Sequence, residues 1–217
     1  MAKPGAPSRA VTGGETGPTR ERIVEAALTT LKTAGFAGAS ARAIARAGSF
    51  NQALIFYHFG SVNDLLLAAL EETSRRRMAA YREAVGALAE PGAGGLPGLV
   101  ELAARVYRED LDAGHLTVLA EMVGAAVSAP DLGPRVAACL RPWVAFTEEV
   151  FGQAVAGSAA EALVPAADAA YAVVALYLGV ELLTHLDGDR TRAEALFASG
   201  ARMADLFGPL LAAGSRP

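Results

Sequence analysis

The sequence predicts an all-α protein of about nine helices, and three observations lead there. Hydrophobic residues make up 53% of the 217 and charged residues only 19%, so most of the chain must fold around a core. Much of the apolar content is Ala and Leu, both strong helix formers, while runs of Val, Ile and Thr are scarce. The apolar residues also recur at three- and four-residue intervals, between glycines and prolines placed as helix stops.

Taken in order, residues 1–18 are rich in Pro, Gly, Ser and Thr and lack an apolar segment; they read as a disordered arm rather than a signal peptide. Residues 19–34 place Ile23, Ala27, Leu28 and Leu31 on one helical face, with Gly35 as the stop. Ser40 caps a short second helix over 41–47, with Ile44 facing inward and Gly48 ending it. Asn51 caps a third, which runs through Ile55 to about His58. Two short helices meeting at a tight Gly-containing turn, after a longer first one, form a helix-turn-helix pattern over about 40–59. From Ser61 a longer helix carries Leu65, Leu66, Ala69 and Leu70 on its apolar side and continues to about Leu88. The stretch 90–98 (E-P-G-A-G-G-L-P-G) is the clearest loop. Five further helices come after it, near 99–113, 116–127, 133–156, 166–186 and 190–211. Pro165 suits the first turn of the fourth of these, and Pro142 should kink or divide the third.

Composition narrows the chemistry. One cysteine, Cys139, excludes an internal disulfide, and three histidines form no metal-binding spacing; a reducing cytoplasm is the expected compartment and no cofactor is implied. The apolar run 166–186 approaches membrane-spanning length, but Asp168, Glu181 and His185 would be costly in lipid, so a buried bundle helix is expected and no membrane span. No nucleophile–base pair or phosphate loop appears, which argues against an enzyme; His115 near Glu121 and His185 near Asp187 stand alone. The net charge of −4 hides an asymmetry: residues 1–82 carry eleven Lys and Arg against six Asp and Glu, and the remainder eight against seventeen. A basic N-terminal part on an acidic body suits a polyanion partner for that part.

Double-stranded DNA fits the helix-turn-helix. Gln52 lies in the first turn of the third helix, where a side chain can enter the major groove and bond adenine twice. Ala53 and Leu54 can touch a thymine methyl. Asn51, as cap, would leave backbone N–H groups free for a phosphate. Tyr57 and His58 can reach backbone or base edge, and Arg42 and Arg46 suit phosphates, Arg42 also a guanine. Packing is the alternative role for Tyr57, His58 and Phe59, which can instead cover the join to the fourth helix.

The segments R-x-x-I-V-E-A-A-L from Arg20 to Leu28, Gly35, residues 40–48, N-Q-A-L-I-F-Y-H-F-G-S from Asn51 to Ser61 and D-L-L at Asp64 resemble the DNA-binding domain of TetR-family transcriptional regulators, over about sixty residues. The resemblance implies that Arg42, Gln52, Ala53, Leu54, Phe56, Tyr57 and His58 meet DNA while Ile55 and Phe59 pack inward. It also implies a DNA-binding domain over 19–79 and a C-terminal ligand-binding and dimerisation domain over 80–217. Three departures stand out. The turn Gly48-Ser49-Phe50-Asn51 is one residue longer than the family's usual G-V-S or G-V-N, with Phe50 in the apolar role. Phe56 replaces a usual Tyr, and Val62 a usual Lys, each removing a phosphate contact. Arg75, Arg76, Arg77, or Lys3 and Arg9 of the arm, are placed to compensate.

In the C-terminal part, Tyr171, Val174, Leu178 and Leu182 form one stripe and Leu196, Met203, Phe207 and Leu210 another, with Gly179 and Gly200 allowing close approach. Helices apolar on two sides need a second surface, and a homodimer supplies it; the resemblance likewise implies a four-helix interface. It further implies a ligand site, for which Tyr107, His115, Met122, Trp143, Phe146 and Tyr177 are the candidates, with an apolar or aromatic compound as ligand. The expectation is a repressor in a bacterial cytoplasm, at the nucleoid, released from a palindromic operator by a small molecule. The alternative is a ligand-independent activator or architectural factor.

Overall fold

A computed structural model describes residues 16–88, 95–158, 161–162 and 164–213, with side chains described over 19–88, 96–158, 161–162 and 164–206. Among these residues it is all-helical, with nine helices: α1 (Thr16–Gly38), α2 (Ala41–Ala47), α3 (Ala53–Phe59), α4 (Val62–Leu88), α5 (Gly95–Asp112), α6 (His115–Ser128), α7 (Gly133–Val155), α8 (Ala166–Asp187) and α9 (Thr191–Ala213). The order and number match the expectation; several boundaries do not. The first helix begins at Thr16, inside the stretch read as a disordered arm, of which residues 1–15 lie outside the described residues. α5 begins at Gly95, so the second half of the expected loop is helical, and 89–94 lie outside the described residues. Pro165 sits just before α8, with extended backbone, rather than in its first turn. α7 is one uninterrupted element through Pro142, whose ring faces outward.

Local chemistry explains the N-terminal elements. Gly35 takes φ 67° and ψ −177°, a break that ends the regular part of α1 before a last irregular turn to Gly38. The Ser40 hydroxyl accepts from the Ala43 N–H and opens α2, and Gly48 closes it. The Asn51 side chain accepts from the Ala53 N–H at 2.9 Å, so it does cap α3, although regular helix starts two residues later and Gln52 occupies the capping position itself. Ser61 performs the same service for α4, accepting from the Asp64 N–H.

A single large core binds this N-terminal unit to the C-terminal helices. Ile23, Leu28 and Leu31 from α1, Ile44 from α2, Ile55 from α3 and Leu65, Leu66 and Leu70 from α4 meet Val118 and Met122 from α6 and Val136 from α7. Each such side chain contributes about 1.5–3 kcal/mol by leaving water. α4 runs unbroken across the expected domain boundary at 79–80 and packs on α1, α3, α5, α6 and α7. It is the mechanical link between the two parts. Around it, α5 lies along α9 and α7 along α8. α8 is apolar and long enough to cross a membrane by composition, with a mean hydropathy of 1.6, yet its inward stripe carries the buried Glu181.

Candidate nucleic-acid interface

The helix-turn-helix separates its side chains cleanly by face. Ile44, Ala45 and Ile55 are buried, whereas Arg42, Arg46, Ser49, Asn51, Gln52, Ala53, Phe56 and Tyr57 are exposed. Arg42, Arg46, Ser49, Asn51 and Gln52 surround one open concavity between α2 and the start of α3, floored by Ala45 and Phe50. The chain therefore gathers two cations and two side-chain amides within a single surface, the donor set that phosphates and base edges accept.

The longer turn is held by a tight contact. A Cβ built on Gly48 would lie 2.2 Å from a Phe50 ring carbon and 2.8 Å from the Ala26 methyl. Phe50 thus fills the apolar position against the core as expected, and only glycine leaves room for it. Ser49 takes up the added residue with φ 54°, a left-handed conformation uncommon outside glycine.

Several expected contacts are placed differently. Leu54 is half-buried and packs on the core, so its side chain is committed inward rather than offered to a thymine methyl. The N–H groups of Ala53, Leu54 and Ile55 are already bonded, to the Asn51 side chain, the Asn51 carbonyl and the Gln52 carbonyl, so the phosphate role expected for those N–H groups at the Asn51 cap is not available. Tyr57 is 76% exposed and its ring meets His58 edge-on at 4.9 Å. His58 and Phe59 are half-buried; Phe59 packs on the core beneath the Arg20 guanidinium, as its inward assignment requires. Val62 also packs on the core.

The arginines of α4 are not free cations. Arg75 and Arg76 both pair with Glu72, and Arg76 also with Glu25 at 2.6 Å. The hydrogen bond from Arg75 holds the Glu72 carboxyl down to about 2. Arg77, its side chain 10% exposed, is paired with Asp110. Of the three, Arg75 keeps the most exposed side chain, at 70%. Lys3 and Arg9 lie outside the described residues.

Of the six candidate ligand residues, Met122 and Phe146 lie apart, whereas Trp143, through the Tyr81 ring and the Arg77 guanidinium, adjoins the centre that holds Tyr107, His115 and Tyr177. Met122 belongs to the large core. Trp143 donates its indole N–H to the Ser74 hydroxyl at 2.6 Å and meets the Tyr81 ring edge-on, while Phe146 is buried under Arg82. Tyr107, His115 and Tyr177 join a buried polar centre that sequence reasoning missed. There the Asp110 carboxylate accepts from Arg77, Tyr81 (3.3 Å) and the Tyr177 hydroxyl (3.5 Å), and faces His115 Nδ1 at 3.1 Å. Burial, then Arg77, Lys32 and Arg76, push the His115 imidazole down to about 4, so the neutral ring donates to Asp110. The legible signal was Glu181 inside an apolar run, in register with Ala170, Val174, Tyr177 and Thr184 on the inward stripe.

The outward stripe of α8 carries Tyr171, Leu176, Leu182, Leu183 and Leu186, all exposed, and α9 exposes Leu196, Met203 and Leu206. Tyr171, Leu182, Leu196 and Met203 were expected on such a face. Val174 and Leu178 are half-buried within the chain instead, and the side chains of Phe207 and Leu210 lie outside the described residues. Among the described residues a Cβ at Gly179 would meet nothing within 4 Å, whereas one at Gly200 would touch Val100 of α5 at 3.4 Å. Gly200 serves packing inside the chain.

Residues 23–69 match the sequence model of the bacterial regulatory proteins, tetR family. Among solved structures, GusR of Salmonella enterica aligns with a TM-score of 0.69 at 26% identity, covering 91% of this chain and 97% of that one. A member of the TetR family from Streptomyces coelicolor A3 aligns with a TM-score of 0.59 at 25% identity, covering 83% and 96%. No curated protein matches. The resemblance read from residues 20–64 is thus met independently by the family match and by the fold, which is that of TetR-family transcriptional regulators.

Proposed function

We propose that this chain, with its tetR-family N-terminal domain, is a homodimeric, sequence-specific transcriptional regulator, a repressor that a small molecule releases from a near-palindromic operator. The observation that carries the DNA-binding part is the exposed concavity of Arg42, Arg46, Asn51 and Gln52 on the opposite side of α2 and α3 from Ile44 and Ile55. In that reading Gln52 reads a base edge, Arg42 and Arg46 hold phosphates, and Tyr57 reaches the backbone. The uncovered apolar stripe of α8 supports the dimer, because a patch of five large apolar side chains on one helix is normally covered by a partner. A two-fold pair presents α3 twice, about 34–36 Å apart, one turn of duplex. A ligand among the C-terminal helices would shift α4, which packs on α3, and so change that spacing.

The test is binding to DNA upstream of the protein's own gene. Gln52→Ala is expected to lose discrimination against substituted sites by about 5- to 150-fold, and Arg42→Ala to weaken binding to all sequences alike. Sequence-specific binding retained in full by Gln52→Ala removes that residue from the reading role. A ligand-independent factor is the second reading, favoured by the packing of Met122 and Phe146 away from the other four candidates. DNA release by an added small molecule decides between them.

A further inference from the structure

The polar centre between α4, α5, α6 and α8 is electrically incomplete. The charged and titratable groups facing it are Arg77 and Tyr81 from α4, Tyr107 and Asp110 from α5, His115 from α6, and Tyr177 and Glu181 from α8. Asp110 takes Arg77, and His115 is neutral. Glu181 remains, with its side chain 5% exposed, 3.9 Å from Arg77. Among the described residues neither of its carboxylate oxygens has a hydrogen-bond partner, the Tyr177 hydroxyl being turned to Tyr81 and Asp110, and nor has Arg77 Nε. A buried carboxylate left this way is strongly disfavoured. Burial pushes its carboxyl up to about 7, against the pull of Arg77, so at neutral pH a proton supplies part of the missing positive charge.

Aromatic rings surround the same place. Tyr81 stands edge-on to Trp143 with centroids 5.2 Å apart, and Tyr107 edge-on to Tyr177 at 6.1 Å. A groove of about 500 Å³ lies beside it between α5 and α9, lined by Leu102, Arg108, Glu194, Phe197 and Ala201. Its floor is Tyr107, whose hydroxyl holds Thr184 at 2.6 Å, one turn along α8 from Glu181.

We infer that this centre is a recognition site for an organic cation with an aromatic body, whose ammonium pairs with Glu181 while Tyr81, Tyr107, Trp143 and Tyr177 take its apolar part. An ammonium brings both the absent charge and N–H donors for the two unpartnered oxygens; the ring faces attract the same charge. An anion would meet Asp110 and Glu181 with Arg77 already engaged. The inference rests on the regulator reading and names its ligand class.

The probe is 2-phenylethylamine, titrated at pH 8 into the full chain while following the fluorescence of Trp143, the protein's one tryptophan; 2-phenylethanol is the uncharged control. The amine is expected to bind at least about tenfold more tightly than the alcohol, the scale of a hydrogen bond to a charged group. Glu181→Gln, which keeps the shape, is expected to abolish that preference with unchanged helical circular dichroism. Equal binding of amine and alcohol, no binding of either, or a preference surviving in Glu181→Gln overturns the inference. DNA binding measured on the same preparations separates the two claims: its absence sinks the regulator reading whatever the amine does, and its presence with a failed titration sinks only this one.

Discussion

The Glu121 carboxylate on α6 accepts a hydrogen bond from the backbone N–H of Phe36, 2.7 Å away and 85 residues earlier in the chain. The acceptor closes the break at Gly35, where α1 turns out of its regular path toward the helix-turn-helix. A C-terminal helix therefore holds the entry to the DNA-binding unit, with Lys32 donating to the Ala113 carbonyl between α5 and α6 as a second tie. Glu121→Ala is expected to lower stability by about 1–3 kcal/mol, since it leaves a part-buried N–H unpaired; urea denaturation reads it. Gly35→Ala should also destabilise, because its φ is strained for any side chain and its Cβ would lie 2.8 Å from the Glu121 oxygen.

Gly48→Ala tests the turn. The added methyl has no backbone strain to meet, since φ is −92°, but it meets the Phe50 ring and the Ala26 methyl. Displacing that ring shifts α3 against α2. The variant is expected to remain helical, to lose about 1–3 kcal/mol of stability through overpacking, and to bind DNA more weakly. Thermal melting with a DNA titration checks both; unaltered DNA affinity would mean that the turn does not position α3.

Leu183→Glu probes the outward face of α8. Leu183 is 65% exposed, so the substitution costs the single chain little. Across a two-fold axis it opposes like charges in an apolar contact. Sedimentation equilibrium should show a folded monomer, and DNA affinity should fall by about 100-fold or more through lost bivalency. A variant that still dimerises places the interface elsewhere.

Stability should depend on pH through two groups of opposite sign. Glu181, raised from 4.5 to about 7, favours the folded state fully below about pH 4.5 and loses that contribution as pH rises to about 7. His115, lowered from 6.5 to about 4, contributes above about pH 6.5 and loses it as pH falls toward 4. Glu181→Gln should remove the first dependence, leave the second, and raise stability at pH 8 by ~1–3 kcal/mol. Melting temperatures between pH 4 and 8 measure it; a variant as pH-dependent as the parent contradicts the assignment.

By itself the sequence determined the elements and their faces, because those depend on neighbours within a turn or two. Ser40, Gly48, Asn51 and Ser61 act through bonds or conformations a few residues away, and the three- and four-residue spacing of Ile23, Leu28, Leu65 and Leu70 marks their buried side regardless of what they meet. The exposed Arg42, Arg46 and Gln52 were legible for the same reason. Tertiary structure decided which charges are spent and which aromatic residues share a space. Arg75, Arg76 and Arg77 look like one basic run, yet adjacent helix positions point about 100° apart, and Glu25, Glu72 and Asp110 claim them from three helices. Asp110 and Glu181 lie 71 residues apart, so only the packing of α4, α5 and α8 brings them round Arg77, and the energy of a buried charge is set by that assembly rather than by local sequence.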